Sequence, residues 1–362
     1  MRIAVDGYEL HGGFTGVGRY LRSLLKNLLK VSRENSYTLF LREPLATPWE
    51  SETLETRVLF PSRGGYTLWQ NQRLRPALDP KLFDLFWSPN YNLPLSPPLP
   101  SLLTVHDVSW KALPEDYTFR DRILRDLKSR LSFPKARKIF TDSSHGRGEI
   151  LRFYPSLPPE RVYPVPLGIE ESFHPASAEE VTLFRRRYNL KASRVLGFLG
   201  TFFPRRHVGA LISVLPAVRR ECDVELLLVG RNADPSLTPE VLSSSGVRWI
   251  DRLDEAELNS FYSTLSLFLY PSSYEGFGFP PMEALCCGTP PLLLSGSSLE
   301  EYLTGCSLFL EEAQPEKISR MILDYLDHEE DRKRSLLSRW NLMRPCFTWE
   351  RTAKEYLPLL AP

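Results

Sequence analysis

The chain has 362 residues, which is enough for two domains of ordinary size. Its 45 basic and 44 acidic residues leave a formal charge of +1, which argues against a nucleic-acid binder because phosphate contacts require a marked basic excess. Five cysteines, an odd number with no CxxC pair, argue against a disulfide framework and against a structural metal site.

Short apolar runs typical of strands alternate with helical patterns along the chain. The strands predicted in the first half are Arg2–Asp6, Tyr37–Leu41, Val58–Phe60, Leu85–Trp87, Leu102–His106, Lys138–Asp142 and Val162–Pro166. The helices predicted between them are Arg19–Val31, Leu68–Ala77, Thr118–Leu131 and Ser143–Tyr154. The second half repeats this rhythm, with strands at Val195–Leu199, Val224–Val229, Val247–Ile250, Leu265–Leu269, Pro291–Leu294 and Leu308–Leu310. Its predicted helices are Val208–Arg220, Glu255–Tyr262, Pro280–Cys287 and Pro315–Asp327.

Nearly continuous apolar strands that alternate with helices indicate parallel sheets covered on both faces. The pattern therefore predicts an α/β protein with two doubly wound, Rossmann-like domains, residues 1–174 and 175–345, divided where a His-Pro-Ala-Ser run interrupts the rhythm. Ligands of such sheets bind at the carboxyl ends of the strands, which predicts a site in the cleft between the two halves.

The most informative segment is Tyr270–Gly288, YPSSYEGFGFPPMEALCCG, in which a strand, a glycine-bearing loop and a helix follow one another. The glycines permit a ligand to approach the backbone closely, and the free N–H groups of a helix start favour an anion such as a diphosphate. Glu275 and Glu283 flank this anion site and can hold hydroxyl groups on either side of it. Taken singly, either glutamate is more typical of a solvated residue or of a helix first turn, so the prediction depends on the whole string.

A second motif, GTFFPRRHVGAL at Gly200–Leu211, follows a predicted strand. Arg205 and Arg206 can neutralise a diphosphate there, and a guanidinium can do so through two hydrogen bonds. A solvated basic turn is the alternative for this pair, because arginine is common on protein surfaces.

The string Pro-Ser-x-x-Glu-Gly-Phe-Gly-Phe-Pro after a strand, with a second glutamate eight positions after the first, resembles the signature of retaining GT-B glycosyltransferases. More narrowly, it resembles the bacterial lipopolysaccharide and exopolysaccharide mannosyltransferase-like family, and the resemblance covers nearly the whole chain. It implies a GT-B fold, with two Rossmann-like domains facing a cleft. The first domain then binds the acceptor, the second binds the nucleotide-sugar donor, and a C-terminal helix in residues 346–362 crosses back to the first.

The resemblance also implies roles for individual residues. Glu275 corresponds to the glutamate that binds the donor sugar, and Glu283 to the one that binds the ribose. Arg205 and Arg206 correspond to an arginine and a lysine that hold the leaving diphosphate, and the change from lysine to arginine keeps the charge but alters its reach. The remaining implied donor contacts are Gly16, Gly200, Gly230, Leu253, Gly276, Phe277 and Gly278.

His106 is the fourth residue to which the resemblance implies a catalytic role. It stands with Asp107 at the end of an apolar strand, where the family has a histidine that lines the reaction centre, and we expect Asp107 to orient it. Read alone, a histidine in this place is more typical of a structural residue paired with a carboxylate. The glycine-rich turn before Arg19–Val31 is neither a P-loop nor a full GxGxxG fingerprint, so the prediction for Gly16 depends on the resemblance.

The segment 118–138 carries eight lysines and arginines against two aspartates, with apolar residues at helical spacing. A basic amphipathic helix can lie on an anionic membrane, which would suit a lipid-linked acceptor. Packing of the apolar face on the first sheet explains the same pattern equally well. Without a signal peptide or an apolar run of about 20 residues, we expect a cytoplasmic protein, with peripheral contact at the inner face of the membrane left open.

Together these features predict a retaining hexosyltransferase of polysaccharide or lipopolysaccharide biosynthesis. It would move a hexosyl unit, with mannosyl favoured, from a nucleotide diphosphate sugar to a hydroxyl of a glycan or lipid-linked acceptor. No metal or other cofactor is expected, because family members use protein cations at the diphosphate and the sequence has no Asp-x-Asp element.

Three alternatives stay open at this point. The first is another GT-B reaction, such as phosphorolysis or inverting transfer, although the glutamate pair argues against the inverting type. The second is a non-catalytic GT-B subunit that binds sugar nucleotide within a polysaccharide-assembly complex. The third, a Rossmann dehydrogenase, lacks a convincing fingerprint.

Overall fold

The computed structural model describes residues 1–11, 16–47, 49, 51–60 and 65–361. In it the chain forms two compact units, residues 1–168 with 346–362, and residues 169–345. The second unit begins a few residues before the expected division at 174/175. Asn259 Nδ2 donates to Ser172 O over 2.8 Å, and the Phe173 ring packs at 6.3 Å from that of Tyr262, so the residues just before that division are held on the second unit.

The first unit is built on a seven-stranded sheet in the order β3-β2-β1-β4-β5-β6-β7, and every pair in it is parallel. Its strands are β1 (Arg2–Asp6), β2 (Ser36–Leu41), β3 (Leu54–Val58), β4 (Leu85–Ser88), β5 (Ser101–Thr104), β6 (Lys138–Thr141) and β7 (Val162–Pro164). The helices are α1 (Gly16–Val31), α2 (Gly65–Trp69), α3 (Arg75–Ala77), α4 (Ser109–Ala112), α5 (Phe119–Ser132) and α6 (Ser144–Phe153). A π-helical stretch, Gln70–Leu74, joins α2 to α3.

In the first unit one predicted strand is misplaced, and one of the two interpretations of the apolar face in segment 118–138 is excluded. The strand predicted at Val58–Phe60 lies earlier, as β3, because the three central residues of this edge strand are polar and it carries no continuous apolar run. The apolar face of α5 does not pack on the sheet. The residues that α5 buries are Ser129 and Ser132, whereas its large apolar side chains are 41–68% exposed.

The second unit has a six-stranded parallel sheet in the order β10-β9-β8-β11-β12-β13. Its strands are β8 (Arg194–Leu199), β9 (Val224–Val229), β10 (Val247–Ile250), β11 (Leu267–Tyr270), β12 (Pro291–Leu294) and β13 (Leu308–Leu310). Its helices are α7 (Ala178–Arg187), α8 (Val208–Glu221), α9 (Pro239–Leu242), α10 (Leu258–Thr264), α11 (Phe279–Cys286), α12 (Ser298–Leu303), α13 (Pro315–Asp327) and α14 (Glu329–Met343).

The last helix, α15 (Trp349–Leu360), belongs to the first unit, where it packs against α1. The Tyr356 hydroxyl lies 2.8 Å from the Tyr20 hydroxyl, and Thr352 Oγ1 donates to Pro166 O over 2.8 Å. Gly168 allows this approach, since a Cβ there would stand 2.1 Å from Trp349 N.

In each sheet the strand order reverses beside the first strand, between β1 and β4 and between β8 and β11. At such a point the connections leave the sheet towards opposite faces, which opens a crevice beyond the carboxyl ends of the strands. The loops that follow β8 and β11 therefore border the crevice of the second unit.

Candidate active site

An ion pair joins the loops that follow β8 and β11. Arg206 Nε donates to Glu275 Oε1 over 3.0 Å, and both side chains are largely buried, with 13% and 12% exposed. Arg206 Nη1 also donates to Thr201 O over 3.0 Å, and the guanidinium lies 5.3 Å from the centre of the Tyr270 ring. Two predicted site residues, 69 positions apart in sequence, thus meet at the strand ends of the second unit.

The carboxylate of Glu275 is held through one of its oxygens. The hydroxyls of Tyr270 and Ser272 each donate to Oε1 over 2.9 Å, in addition to Arg206. Among the described residues, no hydrogen bond is made to Oε2, so this oxygen can accept from a ligand hydroxyl. Burial acts to raise the pKa of Glu275, but the charges of Arg206 and Arg205 and these hydrogen bonds outweigh it, so the pKa lies below its usual value.

Further hydrogen bonds tie the two loops to each other and the loop of Glu275 to the start of α12. Ser273 N donates to Arg205 O over 2.9 Å, and Ser273 Oγ lies 2.6 Å from His207 Nε2. Ser298 Oγ donates to Glu275 O over 2.7 Å. These contacts hold the arginine loop (residues 200–207) and the glutamate loop (residues 271–278) in one arrangement, which preorganises the charges.

Gly200 and Gly230, both predicted as donor contacts, are required by the backbone. Gly200 has a φ of +143°, and a Cβ there would stand 2.6 Å from Arg206 Nη1. Gly230 has a φ of +138°, and its Cβ would stand 2.0 Å from Gly200 O. The two glycines let the loops after β8 and β9 approach each other and leave space for the Arg206 guanidinium.

The start of α11 follows the glutamate loop directly. Gly278 precedes the helix with a φ of +87°, and a Cβ there would stand 2.2 Å from a Leu299 methyl carbon. Phe277 turns its ring into the interior, 5.3 Å from the Phe279 ring and 5.4 Å from the Tyr302 ring. Any contact of this segment with an anion therefore falls to main-chain N–H groups.

Glu283 lies in α11 and is 2% exposed. Tyr262, on α10, donates its hydroxyl to Glu283 Oε2 over 2.7 Å. This glutamate is thus a buried hydrogen-bonded group and not a solvated residue. Leu253, the other predicted contact on this side, is half-buried in the loop after β10.

In the first unit, His106 follows β5 and pairs with Asp142, which follows the neighbouring strand β6. Nδ1 lies 2.9 Å from Asp142 Oδ2, and Nε2 lies 3.3 Å from Pro89 O. Both neighbours are acceptors, so only the doubly protonated ring can donate to each of them. Burial opposes that charge, but Asp142, with Asp107 nearby, outweighs it and raises the pKa of His106.

The expectation that Asp107 orients His106 is wrong. Asp107 Oδ1 instead accepts from Ser109 N over 2.9 Å and from Ser109 Oγ over 2.7 Å, at the start of α4. Asp142 takes the orienting position because parallel neighbours β5 and β6 end at the same edge of the sheet. Burial raises the pKa of the Asp142 carboxyl, against the attraction of His106.

Gly16 is the first residue of α1 and is exposed, with no atom within 4 Å of a Cβ built on it. The glycine-rich turn before it, residues 12–15, lies outside the described residues. In the described part of the chain, no group of three or more His, Cys, Asp or Glu side chains is arranged to hold a metal ion. Nor is any described helix long and apolar enough to cross a membrane.

Comparison with known proteins assigns the second unit to a family. Residues 181–335 match the family profile described as "Glycosyl transferases group 1". The chain carries a group 1 glycosyltransferase domain. This glycosyltransferase domain contains the arginine loop, the glutamate loop and α11 described above.

Two curated relatives extend the comparison. The O-antigen chain mannosyltransferase B of Escherichia coli is 27% identical over 275 residues, which are 74% of this chain and 71% of that protein. The alpha-maltose-1-phosphate synthase of Mycobacterium tuberculosis is 32% identical over 169 residues, 42% of each chain. The match therefore spans less than half of the mycobacterial protein.

Solved structures resemble the fold of this chain over almost its whole length. Sucrose-phosphate synthase from Thermosynechococcus elongatus has a TM-score of 0.73 at 19% identity, covering 99% of this chain and 98% of that one. WaaG, a glycosyltransferase involved in lipopolysaccharide biosynthesis, has a TM-score of 0.68 at 18% identity, covering 98% and 95%. The fold is GT-B, as the sequence predicted.

Sequence reasoning missed the groups that hold the candidate residues in place. Tyr270 and Ser272 bind Glu275, Tyr262 binds Glu283, and Asp142 binds His106. Only Asp142 had a usable signal, because it ends a predicted strand next to the one that carries His106. Tyr262 and Tyr270 had no such signal, because a local sequence pattern does not predict the hydrogen-bond partner of a buried hydroxyl.

Proposed function

We propose that this chain is a retaining hexosyltransferase that moves a hexosyl unit from a nucleotide diphosphate sugar to a hydroxyl of a glycan or lipid-linked acceptor. The observation that carries the proposal is the Arg206–Glu275 ion pair beyond β8 and β11, next to the start of α11. Such a group of charges suits a ligand that is anionic in one part and rich in hydroxyls in another.

In this proposal Glu275 positions the donor sugar. Its Oε1 is fully engaged, whereas Oε2 is available to accept from a sugar hydroxyl. The lowered pKa keeps the carboxylate ionised at neutral pH, which strengthens that hydrogen bond. Glu283, Leu253 and the main chain of Gly276, Phe277 and Gly278 complete the proposed donor contacts.

Arg205 and Arg206 stabilise the negative charge that develops on the departing diphosphate. Arg206 uses Nε and Nη1 within the protein, and Nη2 makes no hydrogen bond to a described residue, so it can donate to a phosphate oxygen. Because arginine cations supply this charge, we propose that the reaction requires no metal ion. His106, as a cation held by Asp142, is proposed to donate from Nε2 to an oxygen of the transferred sugar, in place of its 3.3 Å contact with Pro89 O.

The names of the relatives support a mannosyl donor. The E. coli relative matched over 74% of this chain is named an O-antigen chain mannosyltransferase, and a shorter match is to an MMP alpha-(1->4)-mannosyltransferase of Mycolicibacterium hassiacum. We therefore propose GDP-mannose as the first donor to test, with UDP- and dTDP-sugars as comparisons.

The decisive test is slow hydrolysis of the donor by purified protein in the presence of EDTA, compared between wild type and Glu275→Gln. The substitution keeps the size of the side chain and removes its charge, so we expect turnover to fall at least 100-fold. Glu255→Gln, an exposed glutamate in the same unit, is the matched control and should leave the rate unchanged. Equal rates in all three proteins would contradict the role of Glu275. Loss of wild-type activity in EDTA would contradict the proposal that the reaction requires no metal ion.

We further propose that α5 rests on an anionic membrane surface. Of the twelve large apolar side chains exposed in the described residues, five lie on this helix, namely Phe119, Ile123, Leu124, Leu127 and Leu131. Arginines and lysines stand among them, and helices that combine both features bind at the interface of anionic bilayers. This proposal places the enzyme at the inner face of the membrane, where lipid-linked acceptors lie.

A further inference from the structure

A cavity of about 390 Å³ in the first unit has no part in the donor chemistry described above. One wall comes from residues that follow β1 and β4, among them Glu9 and Asn90, at the point where the order of the first sheet reverses. The other wall is α5, through Arg125 and Lys128. The cavity thus occupies the part of a doubly wound sheet where ligands bind.

The wall formed by α5 is cationic. Neither Arg125 nor Lys128 forms an ion pair with a described residue, whereas Arg130 on the same helix pairs with Asp126 at 3.0 Å. The Arg125 guanidinium lies 5.4 Å from the Tyr117 ring centre. Both cations line the cavity, and burial together with the charge of Arg125 lowers the pKa of Lys128. An anionic group in the cavity would relieve the repulsion between them.

The opposite wall carries side chains of the kind that form hydrogen bonds with sugar hydroxyls. Asn90 Nδ2 donates to Glu9 Oε1 over 2.8 Å, and the pair presents a carboxylate and an amide side by side. Two aromatic residues, Tyr91 and Trp110, also line the cavity and offer apolar surface. Asp121, the other acidic residue of the lining, already accepts from the Thr118 hydroxyl over 2.7 Å at the start of α5.

We infer that this cavity binds a hexose joined to a phosphate, with the hydroxyls on Glu9 and Asn90 and the phosphate on Arg125 and Lys128. The inference rests on the proposed function, since this sugar phosphate would be the end of the acceptor that is glycosylated. The volume is near the lower limit of small-ligand sites, so it suits one sugar with its phosphate better than a longer glycan. The enzyme would then act early in chain assembly, directly after a reaction that forms a sugar–phosphate linkage.

The phosphate has two sources, a free hexose 1-phosphate and a hexosyl phosphate ester of a lipid. Leu124 distinguishes them, because it lines the cavity and is also half-exposed on the apolar face of α5. An alkyl chain on the phosphate would contact this side chain. If the lipid ester is the natural ligand, decyl mannosyl phosphate binds more tightly than mannose 1-phosphate, and Leu124→Ala removes only that difference.

The experiment is titration calorimetry of the full chain with mannose 1-phosphate, without donor. We expect Lys128→Gln and Arg125→Gln each to weaken binding about tenfold, as the loss of a charge-assisted hydrogen bond does. Arg120→Gln removes the same charge from an exposed position of α5 outside the cavity, and it should have no effect. Arg206→Gln should leave this binding intact, which excludes the diphosphate site of the second unit as its location.

Three results would overturn the inference: no binding of mannose 1-phosphate, equal weakening by Arg120→Gln, or equally tight binding of inorganic phosphate. Thermal melting of each variant identifies those that fail to fold, and Glu9→Gln provides an independent variant on the other wall. Donor hydrolysis and its loss in Glu275→Gln do not depend on this cavity. The inference can therefore fail while the proposed function holds, and mannose 1-phosphate can bind in the cavity even if donor hydrolysis is not observed.

Discussion

Glycine is required at position 230 by the backbone itself. Its φ of +138° is one that residues with a side chain rarely adopt, and a Cβ would overlap Gly200 O. The resemblance to known transferases implied a donor contact here, and the structure adds a steric reason for the same residue. A glycine in a ligand-binding loop can thus be needed before any ligand arrives.

Gly230→Ala is expected to lower the free energy of unfolding by about 1–3 kcal/mol, because the strained φ and the overlap must both be relieved. Chemical denaturation measures the difference. Gly148→Ala is the matched control: that glycine lies inside α6 with open space around it, so the same change should stabilise the protein by about 0.5–1 kcal/mol. Equal effects at the two positions would contradict the steric argument.

The pair His106 and Asp142 makes the stability of the first unit depend on pH. The pKa of His106 is raised above 6.5, so its pairing stabilises the fold fully below 6.5 and loses that effect as the pH rises through the raised value. Asp142 also favours the fold at lower pH, because burial raises the pKa of its carboxyl and the cost of burying the ionised form disappears as the group takes up a proton. Both shifts therefore predict that the stability contributed by this pair falls as the pH rises.

Asp142→Asn is expected to lower the pKa of His106, since the neutral amide no longer attracts the imidazolium. NMR titration of the histidine ring protons measures this directly. Asp107→Asn is the comparison variant and should shift the pKa less, because Asp107 acts on His106 only through its charge and binds Ser109 instead. An unchanged His106 pKa in Asp142→Asn would show that this carboxylate does not set the ionisation of the ring.

At the scale of single elements, α5 has its polarity reversed relative to an ordinary surface helix. It buries Ser129 and Ser132 and exposes its leucines, isoleucine and phenylalanine. Helical spacing of apolar residues identifies a face but does not say whether that face meets a sheet or solvent. Helix α14, which the sequence analysis did not predict, illustrates the converse case, since Trp340 is its only buried residue.

The double variant Ile123→Ser with Leu127→Ser is expected to weaken binding to phosphatidylglycerol vesicles about tenfold or more, because two exposed apolar side chains no longer enter the interface. Cosedimentation with the vesicles measures this binding. Raised salt should also weaken the binding of the wild-type protein, because it screens the attraction between the basic side chains and the anionic lipid. Leu183→Ser, which removes a leucine 55% exposed on α7, is the control. Binding that is unchanged by the double variant would rule out α5 as the membrane contact.

At the scale of the whole molecule, the chain crosses between its two compact units twice, at 168–169 and at 345–346. Each unit has its own parallel sheet with its own reversal of strand order, so each has its own crevice for a ligand. Apart from Gly16 and His106, the proposed donor groups lie in the second unit, and the cavity with Glu9, Asn90, Arg125 and Lys128 lies in the first. The two ligands can therefore be studied by separate binding measurements.

The cognate donor is expected to stabilise the folded protein by about 2.7 kcal/mol at 100 times its dissociation constant, a rise in melting temperature of roughly 5–10 °C for a unit of this size. A thermal-shift screen of GDP-mannose, UDP-glucose and dTDP-sugars identifies it. Arg206→Gln should abolish the shift without changing the response to mannose 1-phosphate. A shift of the same size for every nucleotide sugar in that variant would contradict the role of Arg206.

The sequence by itself determined the two doubly wound halves, the parallel strands and the string that contains Glu275, Gly278 and Glu283, because apolar periodicity and glycine-bearing turns are local signals. The tertiary structure decided which groups meet: Arg206 with Glu275, Asp142 rather than Asp107 with His106, and Tyr262 with Glu283. It also decided that the apolar face of α5 meets solvent. Hydrogen bonds between residues far apart in sequence, and the exposure of a helix face, depend on how the elements pack, and no local pattern contains that information.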